Sequence, residues 1–266
     1  MKSDAAGTIL EKRRPAPNHV WMRIADVWGR EAAEPGQFLH LLLPDQTGLL
    51  LRRPYTIYRR RPGEVEILFQ IVGSGSGALA ELPVGGKAKL IGPLGNGFSL
   101  PKRGETAYIV GGGVGMASLF LLAERLAQSD SAVRVFIGAR SSEYLLCRDD
   151  LEPLGLDIRA ATDDGSEGYH GYVTDLFAET VDREAPEKPV VYACGPKAMM
   201  QALSRAAKER GISAQCALEN RMGCAMGVCL GCVVPIMRGG EMEYERVCIE
   251  GPVFDSSRVL WDKYRI

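Results

Sequence analysis

Apolar and polar positions change over in short bursts through the first hundred residues. The runs VWMRIADVW, QFLHLLLP, VEILFQIV and KAKLIGP are rich in branched and aromatic residues, with glycine, proline and charged residues between them. Runs of strand length, with no long stretch at the helical period, predict an antiparallel β-barrel over 1–101. The pattern changes near Pro101-Lys102-Arg103-Gly104. AYIV reads as a buried strand, GGGVG as a turn, and MASLFLLAERLAQ as an apolar helix of about three turns. AVRVFIGAR, LDIRAATDD and PVVYACGP read as further strands, and KAMMQALSRAAKERG as a helix ended by Gly211. Strands alternating with helices predict a parallel α/β domain over 102–214. After Ala214 the chain reads as irregular and rich in cysteine and glycine, which marks 215–266 as a third, small domain. The fold class is therefore multi-domain, β followed by α/β.

Composition narrows the function classes. A chain of 266 residues exceeds the size at which single cores usually stop growing. Hydrophobic residues make up 46% and charged residues 24%, so sizeable cores are expected. A net charge of −1 gives no electrostatic reason to expect nucleic acid or an anionic membrane as partner. No run approaches the roughly 18 apolar residues of a membrane span, and MKSDAAGTILEKRRPAP has no apolar signal core. The expected compartment is the cytoplasm. Seven cysteines there point to ligation rather than to disulfides, because that compartment keeps thiols reduced.

Four of the seven are clustered. Cys224, Cys229 and Cys232 form C-x4-C-x2-C, and Cys248 follows. That spacing is the one used for plant-type [2Fe–2S] ligation, and the interleaved glycines let amides turn towards the sulfurs. Four thiolates also suit tetrahedral zinc, although zinc sites more often come as two separate C-x2-C pairs. Cys147, Cys194 and Cys216 are left over as non-ligands.

Three glycine-bearing turns suit phosphate. Gly111, Gly112, Gly113 and Gly115 lie between a strand and a helix, where unpaired amides and the helix dipole favour an anion. The fingerprint G-x-G-x-x-G is incomplete, and a purely structural turn is the competing reading. Cys194-Gly195-Pro196 ends a second strand and should lie at the same carboxyl edge of the sheet, where open α/β sheets bind ligands. Cys194 alone reads more readily as a buried strand residue. In the β region, VGSGSG at 72–77 opens a helix, and RRPYTI at 52–57 offers arginine, a ring face and a hydroxyl. An edge strand with solvated arginines is its bland alternative. His19, His40 and His170 lie in unrelated segments and read as surface or packing residues, and Arg59-Arg60-Arg61 as a solvated turn or docking patch.

Together these parts resemble the ferredoxin reductase superfamily. Arg53-Pro54-Tyr55-Thr56 is similar to its R-x-Y-[ST] flavin motif, GPLGNGF at 92–98 to the close of its barrel, and GGGVG and CGP to its pyridine-nucleotide motifs. The cysteines followed by Glu250-Gly251-Pro252-Val253-Phe254 resemble one branch, the electron-transfer subunits of class 1B dihydroorotate dehydrogenase. The resemblance implies an FAD-binding barrel, an NAD-binding α/β domain and a [2Fe–2S] domain. It implies a heterotetramer with an FMN-containing catalytic subunit that oxidises dihydroorotate, and electrons passing through the cluster and FAD to NAD+. On it, Arg53, Pro54, Tyr55 and Thr56 contact FAD. Leu68, Phe69 and Gln70 replace a commoner L-Y-R, and Gly75 and Ser76 stand on a G-T pair at the flavin pyrophosphate. Cys194 is placed near the nicotinamide, and Cys224, Cys229, Cys232 and Cys248 hold the cluster. Competing readings are a flavin subunit of sulfide dehydrogenase, hydrogenase-γ or ferredoxin–NADP reductase type, and a zinc-stabilised nucleotide-binding redox sensor. Arg140, Ser141 and Ser142 follow the second α/β strand, where a 2′-phosphate would sit, and leave NAD or NADP open on sequence alone.

Overall fold

A computed structural model describes residues 5–25, 33–44 and 48–265; the end of the VWMRIADVW run, 26–28, lies outside them. Its first sheet is antiparallel and has seven strands: β1 (Ala5–Ala16), β2 (His19–Ala25), β3 (Phe38–Leu42), β4 (Arg53–Thr56), β5 (Arg59–Arg61), β6 (Glu64–Gln70) and β7 (Lys87–Leu94). They lie in the order β4-β3-β7-β1-β2-β6-β5. Asn18 takes a left-handed φ of 56° at the tight β1–β2 turn, a conformation asparagine tolerates better than most residues. The sheet curls on itself: Tyr55 on β4 meets Phe69 on β6 edge to face, with ring centroids 5.1 Å apart. Ile9, Met22, Ile24, Leu39, Leu41, Val65, Ile67 and Leu90 fill the interior. One helix, α1 (Ser74–Glu81), connects β6 to β7.

The second sheet holds β8 (Thr106–Gly112), β9 (Ala132–Ala139), β10 (Asp157–Thr162), β11 (Tyr169–His170), β12 (Pro189–Cys194) and β13 (Ser213–Ala217), all parallel. Helices α2 (Met116–Leu126), α3 (Arg148–Leu151), α4 (Val173–Glu184) and α5 (Lys197–Glu209) connect them. Nine of the eleven α2 residues are buried, as its apolar run requires. The order β11-β10-β9-β8-β12-β13 reverses between β8 and β12. That is the switch point at which open α/β sheets form a binding crevice, and GGGVG and CGP both end there.

Ala214 does not begin irregular chain, as the sequence pattern suggests. Residues 213–217 form β13, held on one side by β12 and on the other by an antiparallel strand, β16 (Val253–Asp255). A partner forty residues downstream gives no local signal, so the strand is visible only in three dimensions. Between them, β14 (Val233–Arg238) and β15 (Glu241–Arg246) form a hairpin turned at Gly239-Gly240, whose φ values of 59° and 89° need glycine. The cysteine segment and this hairpin share one apolar cluster with Phe38, Val191, Cys216 and Phe254, so the C-terminal region packs onto both sheets.

The reading of Arg59-Arg60-Arg61 as a solvated turn is also corrected. These residues are β5, and the Arg59 side chain is only 14% exposed. It pairs with Glu124 of α2 at 2.9 Å, Glu66 of β6 at 3.5 Å and Asp150 of α3 at 3.9 Å, and stacks over Phe120 at 4.5 Å. Tyr58 donates to Asp150 at 2.7 Å beside it. These carboxylates come from distant segments, so sequence alone leaves the arginine unpaired. Among the described residues no helix is long and apolar enough to cross a membrane.

Candidate functional site

Two cavities meet between the sheets. One, of about 960 Å³, is lined by Arg53, Pro54, Tyr55 and Thr56 of β4, Leu68, Phe69 and Gln70 of β6, and Gly75 and Ser76 of α1. All nine residues that the sequence singled out in the β region thus face one space. The other, of about 800 Å³, is lined by Gly112, Gly113 and Gly115 after β8 and by Gly195 and Pro196 after β12. Gly111 packs instead beneath the turn, where a Cβ would lie 2.5 Å from Met116 Sδ. Gln70, Val114 and Glu219 line both cavities. Cys194 lines the β4/β6 cavity beside Ser118, not the β8/β12 one.

Local chemistry explains why these residue types stand there. A Cβ on Gly75 would lie 1.7 Å from Arg53 Nε, so only glycine lets the guanidinium cross the start of α1. Ser76 Oγ accepts from the amides of Val72 at 2.9 Å and Gly73 at 3.2 Å, which fixes the entry into that helix. Arg53 and the first turn of α1 together form a positive cradle suited to a pyrophosphate. Thr56 Oγ1 is buried and has no hydrogen-bond partner among the described residues, so it offers a polar contact to an occupant. Burial pushes the Tyr55 phenol up to about 12, which keeps it neutral. These features fit a flavin nucleotide.

Across the junction, a Cβ on Gly115 would lie 2.6 Å from the main-chain carbon and oxygen of Cys194. The two phosphate-ready turns are therefore packed backbone to backbone. Arg140 and Asp163 line the far end, with the Arg140 guanidinium 4.6 Å over the Tyr144 ring. The cleft, its glycines and the start of α2 fit a dinucleotide.

Glu219 was missed by sequence reasoning. It is a lone carboxylate without a spacing signal; its only sequence cue is that it lies just beyond β13, at the ligand-binding edge of the sheet. Its side chain is exposed to both cavities but lies deep between the sheets, and this desolvation raises its carboxyl above the ordinary range. The Tyr264 hydroxyl donates to its main-chain carbonyl. The Cys194 thiol is pushed up to about 12 by burial first and the Glu219 charge second, so it is a neutral wall and not a nucleophile.

The clustered cysteines come together as two pairs. Cys224 is in side-chain hydrogen-bond contact with Cys229, and Cys232 with Cys248. The amides of Met226 and Cys229 each donate to Cys224 Sγ at 3.4 Å, and the first of these leads in holding that thiol down, at about 6. Among the described residues no three histidine, cysteine or acidic side chains converge on a single ion position. Two thiol pairs, one for each metal, match a two-iron cluster better than one tetrahedral zinc. Cys147 and Cys216 are also buried, with thiols pushed up by burial.

Residues 219–260 match a family model described as the iron–sulfur cluster binding domain of dihydroorotate dehydrogenase B, and residues 109–205 match the oxidoreductase NAD-binding domain. The dihydroorotate dehydrogenase B (NAD+) electron transfer subunit of Desulforamulus reducens is 36% identical over 256 residues, covering 96% of this chain and 97% of its own. That of Shouchella clausii is 37% identical over 257 residues, covering 95% and 96%. The chain belongs to this family of electron transfer subunits. The resemblance drawn from its motifs therefore holds, and the family is one of oxidoreductase subunits. Among solved structures, a chain of an NADH-dependent reduced ferredoxin–NADP oxidoreductase, studied for flavin-based electron bifurcation, superposes with a TM-score of 0.86 at 28% identity. It covers 99% of this chain and 93% of its own. The ferredoxin reductase of carbazole 1,9a-dioxygenase shares the fold, with a TM-score of 0.68 at 22% identity over 79% of this chain and 66% of its own.

Proposed function

We propose that this chain relays electrons from an FMN-containing dihydroorotate dehydrogenase catalytic subunit to NAD+, as part of pyrimidine biosynthesis in the cytoplasm, within a heterotetramer of two copies of each subunit. The observation that carries the reading is the meeting of two nucleotide-sized cavities at Gln70, Val114 and Glu219, with paired cysteines close behind in the same polypeptide. Segment 1–101 is the flavin domain, 102–217 the NAD domain, and the remainder, which lends β16 to the NAD-domain sheet, the cluster domain. Arg53 and the first turn of α1, with Gly75 and Ser76, hold the FAD pyrophosphate. Tyr55 and Thr56 face its body, and Gln70 offers an amide where the resemblance implies an arginine. Gly112, Gly113, Gly115, Gly195 and Pro196 admit the NAD backbone closely. Cys224 and Cys229 take one iron, and Cys232 and Cys248 the other.

Bound flavin would exchange a hydride with nicotinamide and single electrons with the cluster, a conversion neither of the other groups performs. The chain's own work is to bind, orient and exclude water. Cys194, neutral and buried, walls the flavin-side cavity where hydride would cross. The amides aimed at Cys224 favour negative charge on that sulfur and so tune the site.

A second reading has a specific observation behind it. The ferredoxin–NADP oxidoreductase chain matches almost the full length, so the same three modules also serve a bifurcating complex. Higher identity over comparable coverage favours the dihydroorotate branch. The test is a visible absorption spectrum of anaerobically purified protein with flavin, iron and zinc assayed together. Flavin bands with about two irons per chain are expected. Zinc without flavin would overturn the relay.

A further inference from the structure

The tail run that begins at Glu250 and the glycines of the cysteine loop meet at one side chain, Arg246. It lies two residues before Cys248 and pairs across the hairpin with Val233, the neighbour of Cys232. The next residue, Val247, donates its amide to the Cys232 carbonyl at 2.9 Å. Arg246 Nη1 donates to the carbonyl of Gly227, between Cys224 and Cys229, at 2.9 Å. One arginine therefore touches or adjoins every segment that carries a clustered cysteine. Gly227 permits the approach: its φ is 76°, and a Cβ there would lie 2.7 Å from Ile249 Cγ1 and 3.0 Å from Arg246 Nη1.

Glu250 holds the guanidinium in place. Its carboxylate accepts from Arg246 Nε at 3.0 Å, from Nη2, and from the Arg246 main-chain amide at 2.7 Å. A forked pair of this kind fixes the plane of the guanidinium. The amides of Ile249 and Glu250 donate to the Arg246 carbonyl at 3.2 and 2.9 Å, so the chain turns tightly around Cys248. Asn96 of the barrel secures that turn, donating from Nδ2 to the carbonyls of Ile249 at 2.9 Å and Glu250 at 3.1 Å. The Arg246 and Glu250 side chains are 32% and 30% exposed, so water screens their charges only in part.

We infer that Arg246 and Glu250 are positioning residues: a clamp that holds the Gly227 loop against the Cys248 turn, balances the charge beside the iron–sulfur cluster and so fixes its reduction potential. Each electron added makes the cluster more negative, so the arginine favours the reduced state and the glutamate the oxidised one. Paired, the two largely cancel; either alone does not. The inference rests on the cluster assignment above.

The experiment is a redox titration of the full chain with cofactors loaded, followed by the electron paramagnetic resonance signal of the reduced cluster, with iron assayed in every sample. At a fixed ambient potential the ratio of reduced to oxidised cluster should fall about tenfold in Arg246→Gln and rise about tenfold in Glu250→Gln. The double variant restores neutrality and should return close to the original ratio. Shifts of the same sign in the two single variants would overturn the inference, because a clamp that only packs the loop admits water whichever half is removed. No shift in either, or a double variant displaced as far as a single one, would overturn it too. If Arg246→Gln does not retain iron, Glu250→Gln decides: a rise supports the charge balance, and a fall or no change defeats it. Loss of iron from both would reduce the pair to a structural brace and defeat it as well. Absence of iron from the unaltered protein would instead sink the cluster assignment beneath it.

Discussion

At single residues the site depends on a few positions where only one side chain meets the geometry. Gly115 is the sharpest. A methyl group there would meet main-chain atoms of Cys194 at 2.6 Å, and backbone cannot rotate out of the way as a side chain can. Gly115→Ala should therefore raise the KM for NADH at least about tenfold and reduce flavin content less, because Gly115 lines the β8/β12 cavity while the Cys194 it would push is a single wall of the other. Glu219 makes a different prediction, about charge. Its carboxyl is raised by burial, so it is protonated at low pH and ionises above the usual carboxylate range. The nicotinamide of NAD+ carries a positive charge and that of NADH does not. As pH rises through the raised pKa, NAD+ should bind about fivefold more tightly while NADH is little affected. In Glu219→Gln the NAD+ to NADH affinity ratio should be flat with pH; a slope that survives the substitution would place the titrating group elsewhere. Legibility follows the same division. Glycines, cysteines and the Arg53-Pro54-Tyr55-Thr56 run announce themselves by type and spacing. Glu219 is placed by neighbours brought from other segments, and no spacing records that.

Among the elements, β5 shows how a short strand can join two domains. Arg59 leaves the barrel to meet Glu124 on α2 and Asp150 on α3, while keeping Glu66 beneath it. Glu66 is almost fully buried, also accepts from Trp21 Nε1 at 3.2 Å, and has its carboxyl raised by desolvation against the pull of Arg59. Removing the arginine leaves a buried carboxylate without its main partner, and Arg59→Ala should cost about 3 kcal/mol near neutral pH. The sign with pH follows. A carboxyl whose folded pKa is raised contributes most below its unfolded pKa, and that contribution is lost as pH rises through the folded value. Without Arg59 the folded pKa climbs further. The loss in Tm should then shrink on acidification, and Arg59→Ala combined with Glu66→Gln should recover much of it at neutral pH. A loss independent of pH would mean that stacking on Phe120, 4.5 Å away, matters more than charge. β13 carries the matching lesson about reading sequence. It is short, its second partner is β16, and tertiary pairing rather than local pattern makes it a strand.

For the whole molecule, the question is how electrons enter a chain whose two cavities already face each other. The segment carrying the cysteines offers the route. Cys229 is exposed, and around it Met226, Val228 and Leu230 are 60%, 79% and 61% exposed, a group of apolar side chains at the rim of the thiol pairs. Exposed apolar residues grouped in this way are suited to being covered by a partner, and on the proposed relay that partner would be the catalytic subunit. An aspartate in place of Val228 should weaken association with the catalytic subunit by about tenfold or more, because a charge would be desolvated in the contact. Iron content and NADH oxidation by an artificial hydride acceptor should be unchanged. Cys229→Ala should behave differently: association persists, the iron is lost, and electron flow between the partners stops while the artificial acceptor is still reduced. Binding by sedimentation and flux by dihydroorotate-dependent NADH formation separate the two. If Val228→Asp bound normally and transferred normally, the docking face would have to lie elsewhere. The cluster would then have to exchange electrons across more of its own protein, a route the exposed position of Cys229 makes unnecessary.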